Sequence, residues 1–188
     1  MDQLFQDALE TSPVIAAVKD EEGLEACLGC ESRIVFILYG DICTIPDIVS
    51  RIKKAGKLAV VHLDLINGLA SRDVAADFVR KFTEADGIIS TKPTIIQRAK
   101  ELGMFTVLRV FLIDSMAYDN LKKQVGTAKP DVVEILPAMM PKVIGSICRT
   151  LPVPVIAGGL VRKKTDAVAL LKEGVTSVSS TAPDLWSE

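Results

Sequence analysis

Two segments in the last fifth of the chain combine residue types suited to holding an anion. Ala157-Gly158-Gly159-Leu160 closes an apolar run, and its glycines carry no Cβ to keep backbone N–H groups away from a charged oxygen. Ser179-Ser180-Thr181 closes the next run and supplies hydroxyls. Ala182-Pro183-Asp184-Leu185-Trp186 then reads as a short helix whose unpaired N–H groups would strengthen the same positive field. Phosphate suits such a cup, so Gly158, Gly159, Ser179 and Ser180 are its expected ligands. Two tight turns with no ligand are the plainer alternative.

Charged residues also interrupt runs that are otherwise apolar. Arg109 lies among Val107, Leu108, Val110 and Phe111, and Glu134 among Val132, Val133, Ile135 and Leu136. Neither charge can be buried cheaply alone, so the two are expected either to pair or to orient the hydroxyls of a polyol. His62 and Asp64 stand two residues apart, which puts both on one face of an extended segment. They could form an acid/base pair or hold a hydroxylated ligand, although a buried histidine is often only a hydrogen-bonded core residue. Lys19 follows the first apolar run, where it either neutralises an anion or faces solvent, and Ser90, Thr91 and Lys92 follow the fourth. The expected polyol-binding set is therefore Lys19, His62, Asp64, Ser90, Arg109 and Glu134. HExxH, Walker A and GxSxG motifs are missing, as is any dense carboxylate cluster, so the pattern favours binding over catalysis and calls for no metal or cofactor.

The elements that must position these residues are written in eight apolar runs: residues 13–18, 33–38, 58–63, 87–89, 106–112, 131–136, 153–157 and 176–179. Continuous Val/Ile/Leu runs without polar alternation suit parallel strands covered by helices on one side and buried on the other. Helical patterns separate them. Thr44 is placed as an N-cap with Pro46 in the first turn, and Ile45, Ile48, Val49 and Ile52 form an apolar stripe that Gly56 ends. Residues 73–82, 92–103, 141–150 and 164–173 read likewise. Eight strand–helix units predict a compact TIM-type (β/α)8 barrel in one domain spanning residues 1–188, with its ligand site at the carboxyl ends of the strands. At 188 residues the chain is short for that fold, so some helices must be shortened. An open doubly wound sheet is the alternative, but it would normally have fewer strands and a GxGxxG after the first.

The net charge of −2 and an aromatic content of 5% give no general reason to expect nucleic-acid binding. Local clusters exist at Arg51, Lys53, Lys54 and Lys57 and at Arg162, Lys163 and Lys164, each readable as a solvated helix surface. Cys27-Leu28-Gly29-Cys30 has CxxC spacing without a second pair to complete a zinc set, leaving reduced thiols or a redox pair. Residues 1–7 show neither the basic region nor the apolar core of a signal peptide, and no apolar stretch approaches a membrane span, so the cytoplasm is expected.

In its ordered motifs the chain resembles the glycerol-3-phosphate-responsive antiterminators, regulators of bacterial glycerol operons. The resemblance covers nearly the whole chain. It rests on Leu38-Tyr39-Gly40-Asp41-Ile42, Val61-His62-Leu63-Asp64-Leu65-Ile66-Asn67-Gly68, Gly87-Ile88-Ile89-Ser90-Thr91, Arg109-Val110-Phe111-Leu112-Ile113-Asp114-Ser115, Val133-Glu134-Ile135-Leu136-Pro137, Pro154-Val155-Ile156-Ala157-Gly158-Gly159 and Leu185-Trp186. It implies a TIM-type barrel without catalytic activity that binds glycerol 3-phosphate as effector and stabilises an antiterminated leader mRNA. An RNA surface would then need a local basic cluster, with Arg162, Lys163 and Lys164 the first candidates and Arg51, Lys53, Lys54 and Lys57 the second. A small phosphosugar or triose-phosphate enzyme is the alternative, because one phosphate cup serves many barrel enzymes.

Overall fold

The computed structural model describes residues 3–187. Its strands are β1 (Val14–Val18), β2 (Ile34–Ile37), β3 (Leu58–His62), β4 (Gly87–Ser90), β5 (Phe105–Phe111), β6 (Val132–Leu136), β7 (Val155–Gly158) and β8 (Ser177–Ser180). They pair in chain order, each parallel to the next, and β8 returns to β1 through Val14↔Val178 and Ile15↔Ser179. This closed ring is the (β/α)8 barrel. Full closure leaves no strand edge, and the open-sheet alternative falls.

Around it lie α2 (Glu21–Leu28), α3 (Ile45–Lys54), α4 (Val74–Phe82), α5 (Pro93–Glu101), α6 (Ser115–Ala128), α7 (Pro141–Cys148) and α8 (Lys164–Lys172). Asp20 and Asp114 cap α2 and α6 by accepting from Gly23 N and Ala117 N. The α3 cap departs from expectation: the Thr44 side chain makes no cap bond, and Asp41 accepts from Cys43 N and Thr44 N instead. The expected short helix after β8 is a 3-10 turn at Pro183–Leu185, too brief to carry a helix dipole. Trp186 fastens it, donating from Nε1 to Ser180 O at 2.8 Å. Among the described residues no helix is long and apolar enough to cross a membrane.

One element was not anticipated. Helix α1 (Gln3–Thr11) precedes β1 and plugs the amino-terminal end of the barrel. Phe5 stacks on Phe105 with ring centroids 3.8 Å apart, and Ser177 Oγ donates to Leu9 O at 3.1 Å. Above this plug the barrel interior is apolar, with Ala17, Phe36, Val60, Val107 and Ile156 in one cluster. Burying Phe5 stabilises the fold by about 1.5–3 kcal/mol and seals the bottom of the lumen. Polar chemistry is thereby confined to the carboxyl end.

Candidate ligand site at the barrel mouth

Two residues beyond Val107 and Val132 on the lumen side, Arg109 of β5 and Glu134 of β6 stand in register. The pairing expected from sequence is present: Arg109 Nε donates to Glu134 Oε2 at 2.6 Å. Ser179 Oγ donates to Glu134 Oε1 at 2.6 Å, so both oxygens of this fully buried carboxylate are occupied. The two terminal nitrogens of Arg109 have no acceptor among the described residues and keep contact with solvent. They are charged donors free to bond an acceptor that enters the mouth.

Above the pair is a cavity of about 220 Å³ lined by Arg109, Glu134, Ser179 and Gly159, with Ala17, Leu38 and Leu136 as apolar walls. The loop after β7 forms one side. Gly159 and Leu160 both adopt positive φ, 79° and 66°. Only glycine takes this conformation without strain, so Leu160 is held there at a cost of about 1–3 kcal/mol. No acceptor among the described residues takes the N–H groups of Gly159, Leu160 or Val161. Consecutive positive-φ residues with unpaired N–H groups suit an anion.

The expected phosphate ligands do not all occupy this cup. Gly159 and Ser179 line it, but Gly158 does not. A Cβ at Gly158 would press on Ser179 Oγ and come within 2.7 Å of Glu134 Oε1, so this glycine makes room for the buried pair. Ser180 lines the cavity, yet its hydroxyl is committed to Val161 O at 2.8 Å and accepts from Ala182 N. The N–H of Ala182, expected to help hold an anion, is thus already bonded.

The remaining lumen candidates divide. His62 ends β3 and is buried, with Nδ1 lacking a hydrogen-bond partner and 4.0 Å from Asp64 Oδ2. Burial first, and the Arg109 cation second, hold its imidazole down to about 4, so it is neutral at pH 7. Asp64 does not continue the strand; it lies in the 3-10 turn Leu63–Leu65 and accepts from Ser90 Oγ and from Thr91 N and Oγ1. Asp64 and Ser90 therefore tie β3 to β4, and neither lines the cavity. Lys19 is exposed and also outside it.

Arg162, grouped by charge with Lys163 and Lys164 on a prospective RNA surface, lines the mouth cavity. Three of the four members of the second basic cluster are engaged within the fold, and Lys54 is exposed. Arg51 pairs with Glu21 and Glu25, Lys53 with Asp86, and buried Lys57 donates to Cys30 O and Ser32 O. Val161 was no candidate and Arg162 was assigned to RNA, whereas Leu160 and Thr181 lie in the two segments read as anion-holding without being named as ligands; all four line the cavity. The four cysteines are free, and burial raises the Cys27 thiol to about 12.

A barrel closed at one end, with unpaired N–H groups and a buried arginine at the other, is a TIM barrel whose mouth carries donors of the kind a small anion needs. Residues 14–186 match the family model described as "Glycerol-3-phosphate responsive antiterminator". A glycerol uptake operon antiterminator regulatory protein from Listeria monocytogenes superposes with a TM-score of 0.90 at 30% identity, covering 94% of this chain and 95% of that one. An antiterminator-related protein from Thermotoga maritima gives 0.81 at 36% identity, over 93% and 98% of the two chains. A protein from Escherichia coli K12 described as uncharacterized, YgcP, is 44% identical over 95% of this chain and 94% of its own length. The chain belongs to the glycerol-3-phosphate responsive antiterminator family.

Proposed function

We propose that this chain binds glycerol 3-phosphate in the mouth cavity and, so loaded, stabilises the antiterminated form of a glycerol-operon leader mRNA in the cytoplasm. The observation that carries the reading is that one cavity of about 220 Å³ is lined both by Arg109, whose terminal nitrogens have no acceptor among the described residues, and by Gly159 and Leu160, whose N–H groups have none either. That volume suits a ligand smaller than the usual drug-sized molecule. The phosphate meets the Gly159–Val161 loop and Arg162, and the glycerol hydroxyls meet Arg109. Glu134 orients Arg109, and Ser179 orients Glu134. The regulatory description of the family supports a role without turnover, and no cofactor enters the scheme.

Leader-transcript retention with and without glycerol 3-phosphate tests the reading, alongside thermal unfolding. A ligand at about 100 times its Kd should add about 2.7 kcal/mol of stability. Glycerol, lacking the dianion, should do far less. Equal shifts from the two compounds would remove the phosphate assignment, and ligand-independent RNA retention would remove the effector role.

A further inference from the structure

Beside the mouth, the end of β5, the start of α6 and the loops after β5, β6 and β7 leave large apolar side chains in water: Ile113 is 79% exposed, Met116 69%, Leu160 66%, Phe111 51% and Met139 49%. Exposed apolar groups gathered in one region mark an interaction surface. Between α6 and α7 this region opens into a groove of about 610 Å³. Ile113, Met140 and Val143 supply apolar wall, Tyr118 an accessible ring, and Asp114, Asp119 and Lys142 charge, with Asp114 engaged in capping α6 through Ala117 N. Neither Asp119 nor Lys142 has an ion-pair partner among the described residues.

We propose that this groove receives an unstacked base of single-stranded RNA, and that its shape is coupled to the effector cavity through one peptide group. The inference rests on the reading of the chain as a leader-RNA regulator. A nucleobase needs an aromatic face, apolar edges, a polar group for its hydrogen-bonding edge and a cation for its phosphate. Tyr118, Val143, Asp119 and Lys142 supply these in turn. Asp119 can accept only from a donor such as an exocyclic amino group. The competing occupant is a second copy of the chain, but the cores of protein–protein interfaces are depleted in Asp and Lys.

The coupling follows from peptide planarity. Gly159 C=O and Leu160 N–H belong to the same rigid unit. The carbonyl accepts from Ala138 N at 3.3 Å, and Met140 N donates to Ala138 O at 2.8 Å. An anion taking the Leu160 N–H therefore fixes the carbonyl that holds the loop leading to Met140 and Lys142.

The test measures leader-transcript affinity of the parent chain, Tyr118→Ala, Tyr118→Phe and Lys142→Ala, with glycerol 3-phosphate affinity measured in each. Tyr118→Ala should lose roughly 5- to 150-fold in RNA affinity, and Tyr118→Phe should retain it. Lys142→Ala should reduce the log–log salt slope by about 0.7. Effector affinity should be unchanged in all three, and exchange of the Ala138 amide should slow when glycerol 3-phosphate is added. Should the parent bind no leader RNA in either state, the regulator reading itself fails and the inference with it. Parent-like RNA binding by Tyr118→Ala overturns the groove alone, and unaltered Ala138 exchange overturns the coupling. A dimer that Ile113→Asp dissociates without changing RNA affinity would assign the groove to a second copy and overturn the inference.

Discussion

Replacing Arg109 by Met strands the carboxylate of Glu134 in the barrel. In the parent, Glu134 is fully buried, with Oε2 held by Arg109 Nε and Oε1 by Ser179 Oγ, each at 2.6 Å. The variant leaves a buried charge with one neutral donor, at a cost of about 3–5 kcal/mol. Against a typical domain stability of about 5–15 kcal/mol, the loss is a large fraction. Glu134→Leu should cost less, about 1–3 kcal/mol, because Arg109 keeps terminal nitrogens in contact with solvent. The double variant replaces both charges with apolar groups and should recover most of the Arg109→Met loss. Urea unfolding followed by circular dichroism, with the slope checked for constancy, gives the four free energies of the cycle. Additivity within about 0.5 kcal/mol would refute the claim that this pair is a single energetic unit. The double variant should also bind glycerol 3-phosphate poorly while remaining folded, which separates the binding role of Arg109 from its structural one.

Gly158→Ala should destabilise by about 1–3 kcal/mol, since its Cβ collides with Ser179 Oγ and Glu134 Oε1; unchanged urea unfolding would contradict this packing role. Gly159→Asp puts a bulky anion at a positive-φ position facing the cavity and should abolish phosphate binding, which calorimetry would detect; a folded variant with parent affinity would move the anion site elsewhere. His62, the sole histidine, titrates near 4 when folded against its ordinary 6.5. Below pH 6.5 the unfolded chain takes up a proton that the folded chain refuses. Stability present above 6.5 should therefore fall toward pH 4, by roughly 3 kcal/mol from this group. NMR reads that single imidazole directly, and a folded-state midpoint above 6 would refute its burial beside Arg109.

Residue types carried most of the architecture. The number of apolar runs and the missing GxGxxG favoured a barrel over an open sheet, and the pairing of β8 with β1 closes the ring. The Arg109–Glu134 pair was also legible, as two charges in adjacent buried strands have little else to meet. Three features depended on the folded chain. The α1 plug is amphipathic like any surface helix, and only the open lower end of the barrel explains where Phe5 goes. The Ser180 hydroxyl looked available until the loop carrying Val161 O came within 2.8 Å. Arg51 and Lys53 read as a basic surface, yet Glu21, Glu25 and Asp86 arrive from other elements and neutralise them. Periodicity reports which face of an element is buried, so it specifies strands, helices and their order. Hydrogen-bond partners from distant segments and the φ of Leu160 are settled only when the ring closes, and those decide which N–H groups remain free to hold an anion.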